Sequence, residues 1–211
     1  MSRPATLVFV AGTATDVGKT WWSAAVLRVL RARGVAVAAR KPVQSGDPGA
    51  TTDATVLAAA TGEDAERVCP PDRTYPIAWA PPMAATAAGA PTFTVDDLVA
   101  TTTWPDGTTL GLVEGVGGPR SPMAHDGDNV AFARVLAPDA VLLVADAGLG
   151  TINAVRLAAG ALDTVRAPLL VALNRFDDDD ALHAANRAVL EADGLVIVVT
   201  PDACAAWLCP P

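Results

Sequence analysis

The stretch Gly12-Thr13-Ala14-Thr15-Asp16-Val17-Gly18-Lys19-Thr20 decides the fold. The apolar, β-branched run Ala5–Ala11 before it reads as a buried strand. The run Lys19–Arg33 behind it reads as a helix, closed by Gly34. A glycine-bearing turn between a strand and a helix is the setting in which G-K-T marks a phosphate loop. The free N–H groups of the turn and the helix start converge on phosphate oxygens. Lys19 adds a mobile cation, and the Thr20 hydroxyl suits Mg²⁺. The strict G-x-x-x-x-G-K-[ST] spacing would put glycine at position 13, where Thr13 stands; the glycine comes one residue early, at Gly12.

Working outward, short apolar runs alternate with longer Ala-, Leu- and Arg-rich runs. Val35–Arg40, Thr109–Val113, Ala140–Ala145, Pro168–Leu173 and Leu195–Thr200 read as further strands. Thr52–Ala60, Thr94–Thr101, Thr151–Val165 and Asp179–Ala192 read as helices, Thr94 being a candidate N-cap with acids in the first turn behind it. Strands that are continuously apolar are buried on both faces. The pattern therefore predicts an α/β fold, a doubly wound, mostly parallel sheet with helices on both faces, of the kind seen in P-loop NTPases. The Pro- and Ala-rich segment Pro70–Pro91 reads as a loop beside the site with a short helix inside it.

Composition bounds the rest. The 211 residues fit one domain spanning 1–211, and 51% hydrophobic residues supply a core. The 17 glycines and 17 prolines are scattered without period, so they punctuate elements. A net charge of −8 and a pI near 4.6 leave no basic footprint for nucleic acid. A polyanion must then be held locally, by backbone N–H groups, a few lysines and a metal. Cys69, Cys204 and Cys209 are too few and too poorly spaced for a disulfide framework or a zinc site. The opening MSRPATLVFVAGTATDVGKT lacks a targeting pattern, and no apolar stretch is long enough for a membrane span, so a cytoplasmic location is expected.

Two later stretches carry chemistry. Lys41-Pro42-Val43-Gln44-Ser45-Gly46 sets a lysine at the carboxyl end of a parallel strand, the edge where such sheets bind ligands. Asp53 follows Thr51-Thr52 at a helix start, where an N-cap role competes with a metal role. In Val113-Glu114-Gly115-Val116-Gly117-Gly118 a carboxylate directly follows an apolar strand, and burying it requires a cation. Thr20, Asp53 and Glu114 are thus candidates to converge on one Mg²⁺, a hard ion that takes oxygen ligands.

In their order, these motifs closely resemble those of the dethiobiotin synthetase family: G-T-x-T-[DE]-V-G-K-T with its early glycine, K-P-V-x-S-G, the T/S-D-A step, V-E-G-x-G-G, and L-G-T-I-N at 149–153. The resemblance runs from Phe9 to about Asn174. It implies a cytoplasmic, ATP- and Mg²⁺-dependent ligase that makes the ureido ring of dethiobiotin from 7,8-diaminopelargonic acid and CO₂. The route it implies passes through a carbamate and a carbamic-phosphoric anhydride. Asp16, Val17, Gly18, Lys19 and Thr20 would hold the triphosphate, with Thr13 and Trp21 flanking them. Thr20, Asp53 and Glu114 would hold the metal. Lys41 would be the active-site lysine, joined in catalysis by Lys19, and Thr15 and Ser45 would face the substrate. Glu114, Gly115, Val116 and Gly117 would line the nucleotide. Gly150, Thr151, Ile152 and Asn153 would receive the substrate carboxylate across a homodimer interface, and Asn174, followed by Arg175, would read the base. His125 and His183 would be surface residues.

The chain also departs from the family. The family's Pro-aromatic-Leu turn after the last strand is replaced by Thr200-Pro201-Asp202-Ala203, with Trp207 later. Asn174-Arg175-Phe176-Asp177 also fits the N-x-x-D pattern that reads guanine, a weak match over four residues; ATP is the expected nucleotide and another NTP stays open. The acids Asp177–Asp180 read as a solvated helix start. A ParA/MinD-type ATPase would need a lysine where Ala14 stands, and a cobyrinate-type amidotransferase would need room for a glutaminase domain. A non-catalytic nucleotide-binding module would show no diamine-dependent phosphate release.

Overall fold

In the computed structural model, which describes residues 3–209, six parallel strands form the central sheet. They are β1 (Thr6–Gly12), β2 (Val37–Arg40), β5 (Leu110–Glu114), β8 (Ala140–Asp146), β9 (Leu169–Asn174) and β10 (Val196–Val198), in the order β10-β9-β8-β1-β5-β2. They are the six runs read as strands above, with ends shifted by one or two residues. Alternate residues of β1 serve opposite faces: Leu7, Phe9 and Ala11 join one core, Val8 and Val10 the other.

The second core packs under α1 (Lys19–Ala32), α2 (Asp53–Thr61) and α9 (Pro201–Leu208). The first packs under α5 (Val95–Thr101), α6 (Asn129–Leu136) and α7 (Thr151–Leu162), with Leu190 of α8 (Ala181–Ala192) added. Both faces are covered, as a parallel sheet requires. Phe9 and Phe132 meet across the first interface with ring centroids 5.9 Å apart, and both are fully buried.

The remaining elements are short. Two small sheets lie beside the carboxyl edge: β3 (Gln44–Ser45) with β4 (Thr74–Tyr75), and β6 (Pro122–Ala124) with β7 (Gly127–Asp128). Segment 70–91 contains a 3-10 turn at Pro71–Arg73, β4 and the expected short helix, α4 (Pro81–Ala87); α3 (Ala65–Val68) precedes it.

Several expectations need correction. The helix expected over Thr151–Val165 ends at Leu162 and tightens into a 3-10 turn, Asp163–Val165. The last strand is only Val196–Val198, and helix α9 follows at once. Thr200 caps it and Pro201 takes its first position; the sequence reading ended its last strand at Thr200 and assigned no helix behind it. Helix α6, capped by Asp128, went unread behind the hydrophilic segment 119–128. The cysteines are free; burial pushes the Cys69 thiol up to about 11 and Cys204 to about 12. Among the described residues no helix is long and apolar enough to cross a membrane.

Candidate active site

The loop between β1 and α1 opens at the carboxyl edge of the sheet, flanked by β5 and β8. Its two glycines are sterically required. A Cβ on Gly12 would lie 2.9 Å from the Ala14 carbonyl oxygen and from Val17 Cγ2. Gly18 has φ +98°, and its Cβ would lie 2.1 Å from Asn174 Nδ2. The early glycine thus lets the loop fold back over the strand end. Asp16 and Arg175 both hold positive φ without being glycine. They meet where Arg175 donates to the Asp16 carbonyl (3.3 Å) while pairing with Asp146 (2.6 Å). Strained backbone of this kind collects at binding sites.

Lys19, Thr20, Lys41, Asp53 and Glu114 do come together. Lys41 Nζ lies 2.8 Å from Asp53 Oδ2, 2.8 Å from Glu114 Oε1 and 2.9 Å from the Gly115 carbonyl. The Thr20 hydroxyl lies 2.8 Å from Asp53 Oδ1 and 2.9 Å from Glu114 Oε1. Ser23 donates to Glu114 Oε2 at 2.8 Å. Lys19 curls back onto the Ala14 carbonyl at 3.1 Å. Glu114 is wholly buried, and its carboxylate is compensated by these three donors.

The charges set the acidities. Burial opposes the Lys41 ammonium, but Glu114 and Asp53 more than reverse this and raise its pKa. Burial also raises Asp53, which Lys41 and the Thr20 hydroxyl outweigh, so its carboxyl sits below the ordinary range. Lys19 goes the other way. Burial, helped by the nearby Lys41 charge, lowers it to about 8.

These donors suit magnesium. Mg²⁺ takes one or two protein carboxylates and fills its remaining positions with phosphate oxygens and water. Thr20, Asp53 and Glu114 offer two carboxylates and a hydroxyl around one point. The Lys41 ammonium lies against the same oxygens, so the set already accommodates a positive charge. Among the described residues no cluster of three His, Cys, Asp or Glu suits a metal held by protein alone.

A cavity of about 860 Å³ opens over this cluster. Thr15, Asp16, Gly18, Lys19, Thr20 and Trp21 form one wall, and Lys41, Ser45, Asp53, Val116 and Gly117 line other parts. Trp79 and Pro81 close a further side, and Ser45 Oγ pins the Trp79 carbonyl at 2.6 Å. A second cavity of about 740 Å³ continues past Thr13 and Thr15 to Asn153 and Leu157. Gly150, Thr151 and Ile152 line neither; they start α7 beyond the second cavity. A third, of about 410 Å³, lies where Gly18, Trp21, Asn174, Arg175 and Phe176 meet. Trp207 is packed against the core beneath α1 and does not reach it. His125 is exposed and His183 half-buried, outside all three cavities.

Three residues of this constellation escaped the sequence reading. Asn129 sets the 115–118 turn: its Oδ1 accepts from Val116 N (2.9 Å), and its Nδ2 donates to the carbonyls of Val116 (2.6 Å) and Gly118 (2.9 Å). Ser23 braces Glu114, and Trp22 donates its indole N–H to Asn174 (3.1 Å). Ser23 and Trp22 sit within four residues of Lys19 on the same helix, which was the available signal; Asn129 had none.

Strand, glycine loop and helix, with two lysines and two carboxylates at the sheet's carboxyl edge, define a P-loop nucleotide-binding protein. The described sequence matches the family model "AAA domain" over residues 6–200. The ATP-dependent dethiobiotin synthetase BioD of Caulobacter sp. (strain K31) is 37% identical over 206 residues, covering 92% of this chain and 87% of that protein. That of Anaeromyxobacter dehalogenans is 36% identical, with coverage of 87% and 84%. The chain belongs to the ATP-dependent dethiobiotin synthetase family and is an enzyme of that class. Among solved structures, a Borrelia burgdorferi B31 protein assigned to plasmid partition, bound to AMPPNP, superposes with a TM-score of 0.56 at 14% identity, covering 97% of this chain and 88% of that one. The receptor FtsY of Elizabethkingia anophelis in complex with GDP gives 0.52 at 18%, covering 94% and 57%. At such identities these two share the fold alone.

Proposed function

We propose that this enzyme closes the ureido ring of dethiobiotin from 7,8-diaminopelargonic acid, CO₂ and ATP, with Mg²⁺. Family membership supports the coarser part, an ATP-dependent ligase of biotin biosynthesis. The observation that carries the finer part is Lys41, buried and held between Asp53, Glu114 and the Gly115 carbonyl on the cavity floor. Two anions must meet here, the substrate carbamate and the γ-phosphate. Unit charges about 4 Å apart repel by about 4 kcal/mol at an effective dielectric near 20. Magnesium, when bound, supplies charge neutralisation on the phosphates.

The chain's own groups do the rest. The loop N–H groups and Lys19 hold the triphosphate. Thr15 and Ser45 border the side of the cavity that takes the diamine. Lys41 spans the two reacting anions. The carbamate oxygen attacks the γ-phosphorus and ADP leaves; the second amine then attacks the carbonyl carbon and phosphate leaves. The attacking oxygen is already an anion, so positioning and charge carry the catalysis.

The substrate tail ends in a carboxylate. We place it at the start of α7, where Gly150 leaves the first N–H groups without a side-chain cap and the Thr151 hydroxyl is buried without a partner. Gly150, Thr151 and Ile152 line none of this subunit's own cavities, although Asn153 borders the second, and this supports a homodimer in which Gly150–Asn153 caps the tail bound by the partner subunit. Leu149 and Leu157, 93% and 69% exposed beside it, are apolar surface for that contact.

The test is dethiobiotin formation and phosphate release with bicarbonate, each NTP and the diamine, for wild type, Lys41→Ala and Lys41→Arg. Removing the preorganised cation should lower kcat at least about a hundredfold, with a smaller change in nucleotide KM. The buried Glu114 then loses its ion partner, so a stability loss on the order of 3 kcal/mol is also expected. Arginine's wider fork does not fit three acceptors 2.8–2.9 Å from one nitrogen and should fail as well. Near-normal kcat in Lys41→Ala would remove Lys41 from catalysis.

A further inference from the structure

Outside the site, one ion pair among the described residues is buried. Arg40 Nη1 lies 2.8 Å from Glu63 Oε1, with side chains 7% and 11% exposed. The proposed chemistry uses neither residue, and neither lines the cavity above Lys41. Taking two charges out of water is costly, and such a pair is weak as a source of stability alone.

Strand β2 is an edge of the sheet. Alternate residues of an edge strand turn their N–H groups outward, where no neighbouring strand receives them. Here these are Ala39 and, just past the strand, Lys41. Glu63 Oε2 accepts from Ala39 N at 2.9 Å, and the Val68 carbonyl accepts from Lys41 N at 2.8 Å. The segment behind α2 thus stands in for a missing strand. The other oxygen of Glu63 holds Arg40, whose guanidinium lies 5.1 Å from the Trp104 ring centroid and donates to the Thr103 carbonyl. The pair therefore wraps around the sheet edge, from the core under α2 to the core that contains Trp104.

Lys41 is the next residue. It stands one position beyond the last ladder pair, Arg40 with Val113, so the sheet itself does not hold it. Its nitrogen must nevertheless meet three acceptors at 2.8–2.9 Å. One of them is Asp53, which begins α2, and Glu63 follows the other end of that helix behind Gly62. Fastening the far end of α2 to β2 sets where Asp53 stands relative to the Lys41 backbone.

We propose that Glu63 is a positioning residue for Lys41: buckled to Arg40 and to the Ala39 N–H, it fixes the free edge of β2 and aims the ammonium without touching substrate. The proposal rests on the reading of Lys41 as the cation between the two reacting anions.

The experiment is a double-mutant cycle in dethiobiotin formation, with Glu63→Gln, Lys41→Ala and both together, each assayed well below its own melting temperature. Glutamine offers one acceptor and one donor where two donors must be received, so one contact is lost. Glu63→Gln should lower kcat at least about tenfold, since a misplacement of about 1 Å from a remote change can cost a hundredfold. KM for ATP and for the diamine should stay within about twofold. On top of Lys41→Ala it should add less than about twofold, because no ammonium is left to aim. A purely structural Glu63 would instead multiply its full loss onto that of Lys41→Ala. Arg40→Met combined with Glu63→Met removes both charges at similar volume, a swap that buried pairs often tolerate. It should melt near wild type and still show the low kcat. Wild-type kcat in Glu63→Gln or in the double-methionine variant, or full multiplication in the cycle, would overturn the proposal. Near-normal kcat in Lys41→Ala alone marks the other failure, that of the Lys41 reading, and takes this proposal with it.

Discussion

Apart from the short α3 and α4, which have neither a side-chain cap nor a glycine at their start, the helices of this molecule begin in two ways. Helices α2, α5, α6, α8 and α9 are sealed by Thr52, Thr94, Asp128, Asp180 and Thr200, each accepting from the first-turn backbone. Helices α1 and α7 begin instead at Gly18 and Gly150, both left-handed with φ of +98° and +94°, and have no side-chain cap. A sealed start has given one or two of its free N–H groups to its own chain. A start opened by glycine keeps them for an outside anion. The open pair also differ from each other. The α1 start is wrapped by its loop and backed by Lys19, Lys41 and Asn174, whereas the α7 start faces outward beside an exposed Leu149. The first is complete within one chain, and the second is furnished only on one side.

The largest effect should come from closing the α1 start. Gly18→Ala places a methyl group on Asn174 in a backbone conformation alanine resists. A displacement of about 1 Å at a reacting phosphate costs about a hundredfold. The expected result is at least that loss in kcat/KM for ATP, with native far-UV circular dichroism; normal kinetics would break the contrast between open and sealed starts.

Next is the α7 start. Thr151→Val removes a buried hydroxyl that has no partner. Isosteric loss of an unsatisfied polar group is near neutral or stabilising, so the melting temperature should hold or rise. If the hydroxyl serves the substrate carboxylate, the diamine KM should rise about tenfold, the value of one good hydrogen bond, with ATP KM unchanged. Sedimentation sharpens the same point: a fully active monomer at assay concentration would deprive α7 of any role in the tail site.

A sealed start should respond only in stability. Thr94 and Asp97 form a reciprocal capping box. Thr94→Ala should cost about 1 kcal/mol, a fall of about 2–4 °C in Tm, with kinetics untouched. The backbone N–H and hydroxyl of Thr94 hold the Asp97 carboxyl below its ordinary range. Its contribution is therefore fully present above about pH 4 and is lost as pH falls through the lowered pKa. A kinetic defect in Thr94→Ala would blur the division.

The same division explains what the sequence revealed. All six sheet strands were readable because burial on two faces leaves uninterrupted apolar runs. Gly18, Lys19, Thr20, Lys41, Asp53 and Glu114 were readable because each ends or begins an element. Asn129 was not, since its service to the 115–118 turn depends on folding a distant helix start onto it. Nor was the commitment of Asn174 to Trp22, a bond across 152 positions. Helix α9 carried its start signal in Thr200-Pro201, but Thr200 was counted into the apolar run before it and the helix behind went unread.

The bond from Asn174 to Val17 spans 157 positions and fixes when the nucleotide site comes into being. Strand β1 leaves the ribosome early, but its neighbours β5 and β8 and the brace at the end of β9 emerge in the last half of synthesis. A nascent chain released before residue 174 carries the whole G-K-T loop and lacks the strut that shapes it. The loop is thus among the first parts of the site to be made and its strut among the last, so the loop's final shape waits on the far half of the sheet.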